Sequence, residues 1–314
     1  MGLNGYVVIG SAVVGLLVGL TGAGGGALMT PMLILLFSVK PAAAISSDLV
    51  AAVVMRPVGA IVHLRKGTVN LRLVGLMAVG SVPMAFLGAY LLKLLGNTSS
   101  SQQNVEIALG AALLAGVVAM VVRFVLDRRS GPRTAKIGEV RIRPVPTVLI
   151  GMAGGLIVGL TSVGSGSLMI VLLLFAYPKL SAGRLVGTDL TQAVPLTAAA
   201  ALGALAFGHV EFGVTASIIV GSVPAVLIGS LLSSRAPDKY IRPAITFVIF
   251  ASGLKYVGVG TYPLGWAMGT VLVAAGGYWL VRTQPWRRRE QEPAPVPEPA
   301  LEPALEPLDD VRVT

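Results

Sequence analysis

The 314-residue chain contains no cysteine, only two histidines, and charged residues at just 12% of positions. Without cysteine there is no disulfide, no thiolate metal site and no thiol nucleophile, and the redox compartment leaves no trace. The two histidines, His63 and His209, do not form a His-x-x-x-His pair and read as groups near segment ends rather than as bases or zinc ligands. No G-x-x-x-x-G-K-[ST] run occurs, so no ATP-binding module of that type is present. The serines of "SVGSGS" at 162–167 do not fall into G-x-S-x-G. The expectation is therefore a protein that is not an enzyme, with no catalytic residue, no metal and no cofactor.

What fills the space is apolar. Hydrophobic residues make up 54% of the chain and mean hydropathy is +0.82. A soluble domain of this size needs more polar residues to cover its outside. Repeated apolar stretches with few charges predict an all-α polytopic membrane protein. The first fifteen residues lack the basic region of a cleavable signal peptide and are expected to belong to the mature chain. The net charge of +10 is unevenly divided: residues 290–314 hold seven of the 14 acids and one of the 24 bases. The remaining 23 bases against 7 acids give the body +16, which in a membrane protein reflects topology rather than nucleic-acid binding.

The chain repeats itself. "GLLVGLTGAGGGALM" at 15–29 aligns with "GLIVGLTSVGSGSLM" at 155–169, ten of fifteen positions being identical. At an offset one residue longer, "GSVP" at 80–83 recurs at 221–224, and Asp48 answers Asp189. Each copy reads as about five hydrophobic segments, at about 5–21, 26–38, 43–64, 70–95 and 104–126, then 145–161, 166–177, 183–207, 213–234 and 240–258. The expected organisation is a first transmembrane repeat at 1–127, a basic cytoplasmic linker at 128–144 and a second repeat at 145–260. An extra transmembrane helix at 261–284 and a disordered Pro/Glu-rich tail at 285–314 complete it.

Basic loops at 64–67, 127–143, 235–242 and 286–289 are expected on the cytoplasmic side, and the uncharged loop at 96–104 outside. This places the 127–143 loop and the tail in the cytoplasm of a cell with a multi-pass protein in its cytoplasmic membrane. The loop at 208–212, equivalent to the basic one at 64–67, has neither Lys nor Arg. Equivalent loops then lie on opposite sides, which makes the repeats inverted in topology, the plan of many secondary transporters.

The segments at 26–38 and 166–177 are too short to span about 30 Å of hydrocarbon. Each is expected to be one limb of a re-entrant or broken helix interrupted by glycine. Backbone broken at that depth must be buried in protein or line a cavity. Amide groups and the positive dipole end at the start of the second limb favour an anion. The candidate substrate site is thus Thr21, Gly22, Gly24, Gly25 and Gly26 from one copy, and Thr161, Ser162, Gly164, Ser165, Gly166 and Ser167 from the other. The competing reading is that the glycines only let helices pack closely.

Arg56 stands in the middle of a hydrophobic segment, where a charge is costly and normally faces a partner or cavity. Its fork of donors suits an oxyanion; the alternative is a structural ion pair. Its counterpart in the second copy is Thr197, so the anion site would be asymmetric. Asp48 and Asp189 are candidate proton-coupling groups, with a helix N-cap as the rival role. Gln192, one turn beyond Asp189, is expected in the same cavity.

"GAGGGALMTPML" at 22–33 resembles the glycine-rich signature of the TauE/SafE (sulfite exporter) family, and "GLTSVGSGSL" followed by "LVGTDL" resembles its second-half pattern. The resemblance covers about residues 10–258 and implies transport of a sulfur-containing or organic anion such as sulfite or sulfoacetate, often by export. Val171 departs from it where the first copy has Pro31, and Ser165 and Ser167 dilute the second glycine run. The expected function is a secondary transporter of such an anion, acting as a proton-coupled exporter. The alternatives are a channel-like anion facilitator and a non-transport membrane scaffold or enzyme. Its partners are expected to be the small anion and the lipid bilayer, with no nucleic acid; a homo-oligomer is compatible with the sequence.

Overall fold

The computed structural model describes residues 3–21, 25–65, 67–96, 99–129, 142–166, 168–178, 180, 182–232, 238–260, 262–266 and 269–270. Gly22, Gly24 and Ser167, most of the basic linker, most of the extra helix and the whole tail lie outside the described residues. Met1–Leu264 forms one compact unit and Gly265–Thr314 another. The first holds helices α1 (Gly5–Thr21), α2 (Gly26–Phe37), α3 (Pro41–Arg65), α4 (Leu71–Gly96) and α5 (Ser99–Arg129). It continues with α6 (Pro144–Thr161), α7 (Leu168–Ala176), α8 (Ala182–Phe207), α9 (Phe212–Leu232) and α10 (Asp238–Tyr256). Among the described residues, six helices are long and apolar enough to cross a membrane, within α3, α4, α5, α6, α8 and α9.

Local signals account for the helix limits. Pro144 opens α6 directly after an extended Arg143, where a missing N–H costs nothing. Ser162 closes the same helix in the left-handed region at φ 58°, its amide donating to the Val158 carbonyl. Ser38 closes α2 in the same way at φ 54°. At 12 and 9 residues, α2 and α7 are about 18 and 14 Å long, short of a bilayer's apolar thickness.

The most extensive packing joins the two copies rather than closing within either. α1 lies along α9, and its equivalent α6 lies along α4, the equivalent of α9. A Cβ on Gly15 would stand 2.7 Å from the Ser222 carbonyl oxygen, and one on Gly155 2.3 Å from that of Ser81. Gly19 and Gly159 repeat the pattern against Val226 and Ala85, at 2.4 and 2.1 Å from their carbonyl oxygens. The packing reading of glycine therefore holds inside α1 and α6, where backbones touch as membrane helices with small residues do.

Two further pairs, α3 with α8 and α5 with α10, match a helix with its own equivalent, in opposite chain directions. α3 begins beside the end of α8, where the Glu211 amide donates to Ser47 Oγ at 3.1 Å, and ends beside its start, where Gly187 faces His63 and Thr68. α5 and α10 also cross oppositely, Gly110 meeting Gly253 while Met120 meets Thr246. Apolar side chains such as Val79, Val118, Leu202 and Leu231 are exposed. On helices long enough to cross a bilayer, such an apolar exterior faces lipid.

Candidate functional site

The start of α2 meets the α6 break in the interior. Gly26, the first residue of α2, lies against the turn that ends α6: a Cβ there would fall 1.8 Å from the Ser162 carbonyl oxygen. Only a residue without a side chain allows this approach. Beyond Ser162 the chain runs through Val163 to Gly164 at φ 115° and Gly166 at φ 99°, conformations that residues with a Cβ rarely adopt. So glycine serves two purposes here: close packing within the helices, and backbone freedom in the break.

Polar side chains converge on this crossing. Asp48 Oδ2 accepts hydrogen bonds from Thr30 Oγ1 of α2 at 3.0 Å and from Ser162 Oγ at 2.7 Å. One carboxylate oxygen thus ties a helix of the first copy to the break of the second. Two turns further along α3, Arg56 donates from its guanidinium to Ser165 Oγ, also in that break. Asp48, Arg56 and Asp189 keep only 1%, 8% and 1% of their surface exposed, so all three lie in the protein interior. Arg56 is attracted to both carboxylates. Asp189 has no hydrogen-bond donor on either oxygen among the described residues. Arg56 attracts it, and the Gly166 amide is directed at it from the break but stops short of hydrogen-bond geometry.

Asp48 and Asp189 are each the eighth residue of their helix, since α3 starts at Pro41 and α8 at Ala182. The N-cap reading is overturned for both. Proline at the first position of α3 lets the helix start five residues before the Ser-Ser-Asp run that mimics a cap. Ser47 then serves as an acceptor for the Glu211 amide just before α9 rather than for its own helix start.

The other candidates divide. Thr21 and Thr161 end α1 and α6, and each returns its hydroxyl to the carbonyl four residues back, on Leu17 and Ile157, at 2.7 Å. Gly25 lies near Met55. Gln192 is fully buried and donates from Nε2 to Ser81 Oγ on α4 at 2.6 Å, with its Oε1 unpartnered among the described residues. Thr197, the counterpart of Arg56, turns its hydroxyl onto the Ala193 carbonyl at 2.8 Å. Sequence reasoning missed Thr30 and Ser81. Ser81 lies in the repeated GSVP run and Thr30 in the glycine-rich run at 22–33, and each is a hydroxyl in an otherwise apolar stretch.

The family model described as Sulfite exporter TauE/SafE matches residues 7–256, which takes in the whole of this crossing. The chain belongs to the TauE/SafE family. A similar relative, named a probable membrane transporter protein (YjnA) of Bacillus subtilis strain 168, is 37% identical over 252 residues, covering 80% of this chain and 98% of its own. A second from the same organism, the probable membrane transporter protein YdhB, is 22% identical over 251 residues, covering 79% and 98%. No solved structure matches this chain. The family match, these relatives and the six apolar helices support a multi-pass membrane transporter rather than an enzyme.

Proposed function

We propose that this TauE/SafE-family chain is a secondary transporter that exports a small sulfur-containing or organic anion, such as sulfite or sulfoacetate, across the cytoplasmic membrane with proton coupling. The observation that carries the reading is Arg56: a buried guanidinium, deep in a membrane helix, directed at a hydroxyl of a broken segment. A charge so placed is retained where it meets a charged solute or relay. Guanidinium, serine hydroxyls and the bared amides of the break form a donor-rich lining suited to an oxyanion. Thr21, Gly22, Gly24, Gly25 and Gly26, with Thr161 to Ser167 and Gln192, complete the proposed lining.

The opposed running of α3 with α8 and of α5 with α10 supports two inverted-topology repeats, because a two-fold relating oppositely directed membrane helices lies across them. Under this reading helices of the repeats at 1–127 and 145–260 move about the crossing, with the 127–143 loop and the tail in the cytoplasm. Burial of Asp48, Arg56, Ser162, Ser165 and Asp189 corresponds to an occluded state, opened to each side in turn by helix movement.

The test is counterflow in proteoliposomes with sulfite, sulfoacetate, thiosulfate and sulfate at two pH values. Accumulation of label against a preloaded unlabelled anion supports carrier transport. A steady anion conductance without counterflow favours a facilitator, and neither signal with any of the four rejects anion transport.

A further inference from the structure

Asp48 and Asp189 occupy the same position of equivalent helices, at the same depth of burial, yet their surroundings differ. Thr30 and Ser162 both donate to Asp48. In the repeat register Thr30 corresponds to Ile170 and Ser162 to Gly22, so the second copy carries neither hydroxyl. Among the described residues no side chain donates to either Asp189 oxygen, and the Gly166 amide that is directed at it stops short of hydrogen-bond geometry. A buried carboxylate that lacks the hydroxyl donors of its counterpart is expensive to keep ionised, and a proton is the smallest species that relieves it.

Charge points the same way. With all three groups ionised, Arg56, Asp48 and Asp189 sum to one negative charge, which repels an anion. Neutralising one carboxylate removes that excess and releases Arg56 from one of its two attractions. α8 packs against α3, α4, α6 and α7. Of these, α6 and α7 carry no ionisable side chain, and α4 carries Arg72, Tyr90 and Lys93, each within two turns of a helix end. α3 carries Asp48, Arg56, His63 and Arg65, and Arg123 on α5 acts on Asp189 more weakly than Arg56 does.

Resting on the transport reading above, we propose that Asp189 alone carries the coupling proton, one bound with each anion taken by Arg56. Asp48 is a positioning residue that latches the α6 break to α2. The proton enters from the water on the side to which the site is open, sits on an Asp189 oxygen while the anion is bound, and returns to water with it on the opposite side.

The experiment uses the full chain in proteoliposomes with entrapped pyranine and sulfoacetate as probe, replaced by sulfite, thiosulfate or sulfate if it gives no counterflow. Wild type is expected to take up protons with the anion, and its apparent affinity to weaken about tenfold per pH unit once Asp189 is ionised. Asp189→Asn is expected to give slower counterflow whose affinity no longer varies with pH, without proton uptake. Asp48→Asn, which loosens the break, is expected to slow transport but keep the proton-to-anion ratio and the pH slope. If Asp189→Asn does not fold, the wild-type slope and its retention in Asp189→Glu decide. Counterflow in wild type with a flat pH profile and no proton uptake overturns the proposal, as does coupling lost in Asp48→Asn but kept in Asp189→Asn. Absence of counterflow for every anion in wild type counts instead against the transport reading itself.

Discussion

Gly26→Ala isolates the meeting of the start of α2 with the α6 break. The added methyl carbon would lie 1.8 Å from the Ser162 carbonyl oxygen, 2.6 Å from its carbon and 2.9 Å from Oγ. Carbon and oxygen approach to about 3.3 Å even in favourable C–H···O contacts. The obstacle is backbone on both sides, so no rotamer relieves it, and the start of α2 must part from the α6 turn by about 1.5 Å. A displacement of that size takes the Ser162 hydroxyl, now 2.7 Å from Asp48 Oδ2, out of hydrogen-bonding range unless the latch moves as a whole. Overpacking of this kind costs about 1–3 kcal/mol in stability. Misplacing a positioning element by about 1 Å costs about 10²-fold in rate. Thermal unfolding of the purified protein reads the first effect and initial counterflow rate the second. Gly75→Ala on α4 is the control, because a Cβ there meets nothing within 4 Å. Wild-type stability and rate in Gly26→Ala, or equal damage in Gly75→Ala, would refute the reasoning.

Other substitutions probe separate links. Arg56→Gln should raise the half-saturating anion concentration at least tenfold, on the order of the 1.5–3 kcal/mol of a hydrogen bond to a charged group; unchanged affinity and uptake would remove Arg56 from the site. Gly164→Ala meets no close backbone, but it must hold φ 115°, so a cost of about 1–3 kcal/mol should appear in thermal unfolding together with lower counterflow. Gly155→Ala should destabilise through the α4–α6 contact while leaving anion affinity near wild type; loss of affinity at unchanged stability would contradict that separation.

The helical class and most helix limits could be read from hydropathy, because in lipid an unbroken apolar run has few alternatives to helix. The short limbs α2 and α7 were also legible, since glycine clusters precede both. The depth of Asp48 and Asp189 was not. Serine, threonine and aspartate signal a cap when seen locally, but Pro41 and the packing of α3 on α8 carry the helix past them. The asymmetry between the two carboxylates was legible in principle, as Ile170 and Gly22 stand where the first carboxylate's donors would be repeated. What the sequence alone does not show is that those donors reach Asp48, because one of them arrives from a residue 114 positions away.

The exchange of α1 and α6 between the copies bears on how the molecule is assembled. A chain severed in the linker would yield two pieces, each with a glycine-faced first helix whose partner helix is on the other piece. Neither fragment can complete its own interior. Synthesis of the second half must therefore finish before the first can settle, and any regulated cleavage at that loop would leave the fragments clasped together rather than set them free.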